Sequence, residues 1–401
     1  MKVDMISAIA SERFGGVEKY ALNVLRHFSK MKTRYTFRLV NYPPSVAKEF
    51  PFENRSVPYG SRDIARILLS RRGPELLRDS LSYVRHAVDY TRDIPNKLMR
   101  YRRQMGYSFG LREGGSLDIV HSLDHFIPYF VRAKCVIGTI HDLGPLRKGE
   151  LYPKSYLFYH IVEFPWQLKR CDKVAVDSPG TLEDAHLLYG IPLDKLVLMP
   201  LGVDDSFKRV DPSDALKKHG INTPYVFYPV GTVEPRKNIQ AAIEAMRIVR
   251  RELRTQHILV LMGRRLINYP EVDKAVEAGV KEGLVKDLGY VEQSDVPAIY
   301  SGADLVIYPS LYEGFGLPIL ESMACGTPTV VSRIDAHEFV GGDAAYFFAN
   351  TTSEAIAKSI VRLAGDEQLR SRLSAAGLKH AAGFRWENTA KKILDLYDSV
   401  L

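Results

Sequence analysis

Two glutamates eight positions apart, Glu313 and Glu321, bracket Gly314-Phe315-Gly316 and Pro318 inside the stretch from Ala303 to Ser332. Ahead of them, Leu305 to Tyr308 is a short apolar run between an Asp and a Pro, which reads as a strand buried on both faces. The glycines let the backbone approach another group closely. Pro318 stands where a helix begins, because its fixed φ and missing N–H cost nothing there. Gly326 closes that helix, Pro328 stops it, and Thr329 to Ser332 is the next strand. A helix start beyond a strand's carboxyl end offers unpaired N–H groups and the positive end of the dipole, which makes it an anion site. Glu321 taken alone reads equally well as a carboxylate complementing that dipole. Glu313, directly before Gly-Phe-Gly at a strand end, has no capping role.

Three further places carry side chains suited to chemistry. Arg236 and Lys237 lie in the loop Gly231 to Asn238, between the strand Tyr225 to Val230 and the helix Ile239 to Leu253. A planar guanidinium beside a point-charge ammonium suits a diphosphate, although an adjacent pair of cations also reads as a solvated surface. His141 ends the apolar strand Cys135 to Ile140, where open α/β sheets place their ligands. Gly15-Gly16 separates a first strand, Val3 to Ile9, from an amphipathic helix, Val17 to Phe28. Alone, such a pair reads as a tight turn.

The string YPSLYEGFGLPILESMACGTPTVVS resembles the E-x7-E signature of the retaining glycosyltransferases of family four. The resemblance implies an α/β protein of the GT-B fold: two Rossmann-like doubly wound domains facing a cleft, with a C-terminal helix crossing back to the first domain. GGVEKY resembles the family's GG-x-E turn, which would bring Gly15 and Gly16 near the donor phosphates, and Glu18 takes no role. HDLGPLR is similar to the HDL element of members that use mannose donors, whose histidine contacts the transferred sugar, here His141. GTVEPRKN resembles the donor-diphosphate loop and implies Gly231, Arg236 and Lys237 at the diphosphate. Many members have Arg where Thr232 stands. Whether Arg264 or Arg265 takes part of that job stays open. By the same resemblance Tyr290 and Val291 meet the nucleotide base through their backbone. Gly314, Phe315, Gly316 and Leu317 line the donor at the helix start, and Glu321 takes the ribose hydroxyls. Glu313 and His141 then hold the sugar from opposite domains once the cleft closes. The resemblance covers about 15–50 and 117–401.

At 401 residues the chain suits two domains. They are expected at 1–200, binding acceptor, and 201–383, binding donor, with 384–401 as the crossover helix and Pro200 to Asp204 as the hinge. Lys154 to Arg170 reads as helical, and Val285 to Val291 separates two further helices, Glu271 to Glu282 and Ser294 to Tyr300. Apolar content of 46% and charged content of 25% are those of a soluble globular protein. The opening MKVDMISAIASERFGG reads as a strand rather than a leader, and no run reaches the roughly 18 apolar residues of a spanning helix. Cys135, Cys171 and Cys325 form no metal pattern and read as buried thiols of a reducing, cytoplasmic compartment.

The net charge of +8 is concentrated: twelve Arg or Lys against five acids between Arg62 and Arg112 leave a local +7. This segment, a helical insertion at about 62–112, breaks at Pro74 and Pro95. Its charge suits nucleic acid, an anionic membrane or an acidic substrate. It lacks a recognisable base-stacking motif, so nucleic acid is not expected, and peripheral contact with the inner face of a membrane is.

The resemblance implies retaining transfer of a hexosyl group, expected to be mannosyl. The donor would be GDP-mannose or a UDP-hexose, and the acceptor hydroxyl that of a carbohydrate or lipid-linked glycan. No cofactor beyond the donor is expected, and no metal, because no Asp-x-Asp element stands at a suitable strand end and Arg236, Lys237 and the helix supply positive charge. A GT-B epimerase or phosphorylase and a catalytically silent nucleotide-binding subunit are the competing readings. The silent subunit would be marked by loss of Glu313, Lys237 or His141, all of which are present.

Overall fold

The computed structural model describes residues 1–6, 16–40, 42, 44–55, 117–125, 127, 133–253 and 257–401. Gly15 and the basic segment 62–112 lie outside them. Seven short strands of the first half are β1 (Lys2–Ile6), β2 (Thr36–Val40), β3 (Glu53–Arg55), β4 (Leu117–Ser122), β5 (Ala133–Ile140), β6 (Lys173–Val176) and β7 (Leu196–Leu198). They pair in the order β3-β2-β1-β4-β5-β6-β7. The second half supplies β8 (Tyr225–Thr232), β9 (Ile258–Arg264), β10 (Val285–Asp287), β11 (Leu305–Tyr308), β12 (Thr329–Val331) and β13 (Tyr346–Phe347), in the order β10-β9-β8-β11-β12-β13. All pairings between these strands are parallel. Helices cover both faces of such sheets, which is why the central strands are continuous apolar runs; all four residues of β11 are buried.

Each half winds the same way. The chain steps outward from its first strand, β1 or β8, for two strands and then returns to that strand's other side. The order therefore reverses at β1/β4 and at β8/β11, and a crevice opens beyond the carboxyl ends of those strands.

The helices follow from local signals. Pro179–Tyr189 starts where Ser178 Oγ accepts the Thr181 N–H at 3.2 Å, and ends at Gly190 with φ of 64°. The stretch expected as helical from Lys154 to Arg170 consists of an α-helix, Lys154–Phe158, a π-turn, Tyr159–Glu163, and a second α-helix, Phe164–Leu168. Pro165 has no N–H to return to Ile161, and the Phe164 N–H bonds Tyr159 O five residues back. Between the helices Pro270–Lys281 and Val296–Ser301, β10 stops at Asp287, because the chain turns through Gly289 at φ of 59°. Conversely, β8 runs two residues past Val230, and Ser213–Lys218 and Asp335–Gly341 are additional helices.

The last helix, Trp386–Ser399, buries Trp386, Ala390, Ile393 and Tyr397. It packs on the helix Gly16–Phe28 of the first half, and the Tyr397 hydroxyl lies 2.7 Å from His121 Nδ1 on β4. Where the chain enters this helix it meets the link between the sheets: the Val203 N–H donates to Phe384 O at 2.9 Å and Thr389 Oγ1 donates to Pro200 O at 2.6 Å. All three cysteines are buried. No described helix is long and apolar enough to cross a membrane.

Candidate active site

β8 and β11 pair at Leu305 and Val226, so the loops that follow them emerge side by side at the point of reversal. After β8 comes a short 3-10 turn, Pro235–Lys237, closed by Asn238 in the left-handed region at φ of 59°. Asparagine tolerates that conformation, and here its amide donates to Thr351 O at 2.8 Å. The Tyr228 hydroxyl donates to Lys237 O, and the Leu311 N–H donates to Arg236 O at 2.8 Å, which ties this turn to the loop after β11. Arg236 and Lys237 are thereby aimed into one buried spot.

Glu313 occupies it. Its Oε2 accepts from Arg236 Nη1 at 2.7 Å and its Oε1 from Lys237 Nζ at 2.6 Å. Burial opposes the charge on Glu313, but the guanidinium and ammonium outweigh it and hold the carboxyl well below the usual range. Burial and the neighbouring Arg236 pull Lys237 downward, and Glu313 works against them. Arg236 also donates from Nε to Glu234 at 2.7 Å and from Nη1 to Tyr312 O at 3.2 Å. Lys237 donates to the Tyr308 hydroxyl at 2.9 Å. With five N–H on a guanidinium and three on an ammonium, the two N–H of Arg236 Nη2 and one of Lys237 are left for an incoming anion.

Beyond Glu313, Gly316 adopts φ of 109°, which favours glycine, and the helix Leu317–Ala324 starts with Pro318 in its second position. The Phe315 side chain turns into the core, 6.3 Å from the rings of Phe339 and Phe384, so only its backbone belongs to the loop. Glu321 lies past the first turn, which excludes the dipole role, and is itself buried. Lys19 Nζ donates to its Oε1 at 2.6 Å and the Tyr300 hydroxyl to its Oε2 at 2.9 Å.

Along the same rim, Gly231 stands at φ of 70° and pairs with Gly263. Thr232 pairs with Arg264. The Arg264 guanidinium lies 4.1 Å over the half-exposed Tyr290 ring, whereas Val291 is core. Arg265 is spent on Asp273 and Asp287. Of the two arginines, Arg264 is thus the one beside Thr232. Gly16 is the first residue of its helix, and among the described residues nothing lies within 4 Å of where its Cβ would stand.

The first half faces this loop directly. His141 follows β5; its Nδ1 is 2.7 Å from Asp177 Oδ2 and its Nε2 3.0 Å from Leu123 O. A carboxylate and a carbonyl only accept, so both ring nitrogens donate and the ring is an imidazolium. Burial alone would lower its pKa; Asp177, with Leu123 O, reverses that and pushes it up to about 9. Both ring nitrogens are thus held within the first half. Gly314 seats on the backbone of His141, where a Cβ would come within 1.9 Å of His141 O. The Tyr312 hydroxyl accepts the Leu143 N–H at 3.1 Å and donates to Asp184 Oδ2 at 2.9 Å, with Asp184 held by Arg147 Nε at 2.6 Å. The structure thus brings Glu313, Arg236, Lys237 and the His141 backbone together, while Tyr290 lies against Arg264 and Glu321 against Lys19 and Tyr300.

The expected roles for Gly15 lie outside the described residues. Lys19, Asp177, Asp184, Tyr308 and Tyr312 were not singled out from the sequence. Asp177 and Tyr308 end apolar strands, the same signal that marked His141.

Comparison with known proteins agrees with this architecture. Residues 14–207 match the sequence profile "Glycosyltransferase Family 4" and residues 213–380 match "Glycosyl transferases group 1". The chain belongs to the family-four glycosyltransferases. This glycosyltransferase is 28% identical over 386 residues to O-antigen chain mannosyltransferase B of Escherichia coli, covering 95% of both chains. It is 30% identical over 281 residues to the serotype-specific mannosyltransferase WbdA of the same organism, a match spanning 66% of this chain and 33% of that one. Among solved structures it is similar to Anabaena HepE in complex with UDP and glucose, with a TM-score of 0.69 and 17% identity over the whole of both chains. It is also similar to WaaG, a glycosyltransferase involved in lipopolysaccharide biosynthesis, with a TM-score of 0.70 and 15% identity over 98% of this chain and 99% of that one. The family-four glycosyltransferase thus has the GT-B fold.

Proposed function

We propose that this glycosyltransferase moves a mannosyl group from GDP-mannose to a hydroxyl of a growing, lipid-linked glycan, with retention at the anomeric carbon and without a metal. The observation that carries the reading is the Glu313, Arg236 and Lys237 cluster at the β8/β11 reversal, pressed against His141. The likeness along 95% of its length to a protein named as an O-antigen mannosyltransferase supports the choice of sugar.

On this reading the spare N–H groups of Arg236 and Lys237, with the start of the helix Leu317–Ala324, receive the diphosphate. As the bond from the anomeric carbon to the phosphate oxygen breaks, its electron pair stays on phosphate, where these fixed donors stabilise the growing charge. The acceptor oxygen attacks from the same face and gives its proton to the departing phosphate. Glu313 is a permanently ionised carboxylate held by two cations. It therefore orients a sugar hydroxyl and is unsuited to act as a general acid. Nε2 of His141 exchanges Leu123 O for another sugar hydroxyl. Glu321 accepts from the ribose once Lys19 gives way, and Tyr290 and Val291 border the base. The basic segment 62–112 contributes an anionic-membrane contact.

A thermal-shift series with GDP, UDP, dTDP and ADP tests the donor, because a ligand that binds only the native state raises its melting temperature. The largest shift is expected with GDP, unchanged by excess chelator. A shift that appears only with added magnesium or manganese, or only with UDP, overturns the corresponding part.

A further inference from the structure

Tyr152 stands between the 3-10 turn Gly149–Leu151 and the helix Lys154–Phe158, and its hydroxyl oxygen is buried without a hydrogen-bond partner among the described residues. A phenylalanine would fill the same space. A buried hydroxyl that bonds nothing lowers the stability of the chain that carries it, so its presence asks for a partner that comes from outside.

The place it occupies narrows what that partner is. A Cβ on Gly144 would collide with the Tyr152 hydroxyl and lie 3.0 Å from the Tyr312 ring, so the hydroxyl is seated over a residue that only glycine fills. Tyr312 belongs to the second half, where its carbonyl accepts from Arg236 Nη1 and the next residue is Glu313. The hydroxyl therefore lies where the stretch His141 to Gly144 meets the loop that carries Glu313. Burial and then Asp142 push the phenol well above its ordinary pKa; Arg236 works against them, and Glu313 and Glu234 add to them. It keeps its proton and can both donate and accept. Beside it, Asp142 spends one carboxylate oxygen on the Gly144 N–H at 3.0 Å, and the other has no hydrogen-bond partner among the described residues. A phosphate would be repelled by that carboxylate. A sugar hydroxyl, itself donor and acceptor, suits both groups. We propose that Tyr152 is a sugar-contact residue, its hydroxyl donating to a pyranose hydroxyl admitted between these two loops as the halves part.

The inference rests on the transfer reading above, and the pyranose is either the transferred one or that of the acceptor. Tyr152→Phe keeps the ring and removes only an oxygen that the free chain leaves unbonded, so its melting temperature without ligand should equal or exceed that of the wild type. Both proteins, as full chains, are then titrated with GDP, with GDP-mannose, and with octyl α-mannoside in the presence of GDP, and affinities are read from the thermal shifts. The expected result is unchanged binding of GDP and about threefold to tenfold weaker binding of one sugar-bearing ligand, the usual worth of one neutral hydrogen bond. Weakening with GDP-mannose places the transferred sugar at Tyr152, and weakening with octyl α-mannoside places the acceptor there. Unchanged binding of both sugars, or a loss that GDP shares, overturns the proposal. So does a lower melting temperature of the ligand-free variant, which would make the hydroxyl a part of the fold. A wild type that GDP does not stabilise contradicts the donor reading itself, and this inference with it.

Discussion

At Glu313 two cations share one carboxylate, so both of its oxygens are engaged within the second half. Replacing it by alanine leaves Lys237 buried without its counter-charge beside Arg236, which keeps Glu234, and breaking a buried pair in this way costs about 3–5 kcal/mol. We therefore expect Glu313→Ala to lower the melting temperature as well as abolish transfer. Lys237→Ala, which leaves Arg236 on Glu313, should retain the fold and lose about 10²–10³ in kcat, the usual loss for one donor to a developing anion. Transfer at the wild-type rate by folded Lys237→Ala, measured by GDP release, would remove that residue from the site. His141 gives a second test at this scale. Its folded pKa, about 9, stands above the ordinary value near 6.5. Between the two, the folded chain holds a proton that the unfolded chain has released. The stabilisation is complete below about pH 6.5 and is lost as pH rises through about 9. Denaturant midpoints should accordingly fall over that window in the wild type, and fall less in Asp177→Asn. Equal slopes in the two proteins would mean the imidazole is neutral.

The loop from Tyr312 to Gly316 is the element that joins the halves. Tyr312→Phe keeps the ring but deletes the bonds to Asp184 and Leu143, so kcat should drop while the melting temperature stays near the wild-type value. Gly314→Ala, whose Cβ meets the His141 carbonyl, should be more damaging. If both variants turn over normally, the contact between the halves has no part in transfer. Much of this element was readable beforehand, because Leu305 to Tyr308 is an unbroken apolar run and Gly316, Pro318 and Gly326 punctuate the helix that follows. The bounds of Ile239–Leu253 were equally plain. Tyr312 with Asp184 and Lys19 with Glu321 were not, since they are partners 128 and 302 positions apart and no periodicity announces them. The π-turn was hidden for another reason. Pro165 can open a helix or widen one, and which it does depends on whether the N–H before it finds a carbonyl five residues back, as Phe164 finds Tyr159.

On the scale of the whole molecule, two sheets wound alike are held by a chain that passes between them twice, at Pro200 to Asp204 and again at Phe384 to Trp386. The two passes touch so closely that a Cβ on Gly202 would lie 2.1 Å from Trp386 N. Gly202→Ala should therefore loosen both halves together, lowering the melting temperature and the rate. Tyr397→Ala, which empties a fully buried site between the last helix and β4, should cost about 3–5 kcal/mol in denaturant unfolding. Stability within error of wild type for both variants would show that the crossover does not hold the halves in register. The most direct test of the account is the product itself. GDP-α-mannose and a synthetic lipid-linked acceptor are incubated with the full chain in excess chelator, and the new linkage is read by proton and carbon NMR. We predict an α-mannoside formed at an undiminished rate; a β-mannoside, or no product until a divalent metal is restored, would contradict it.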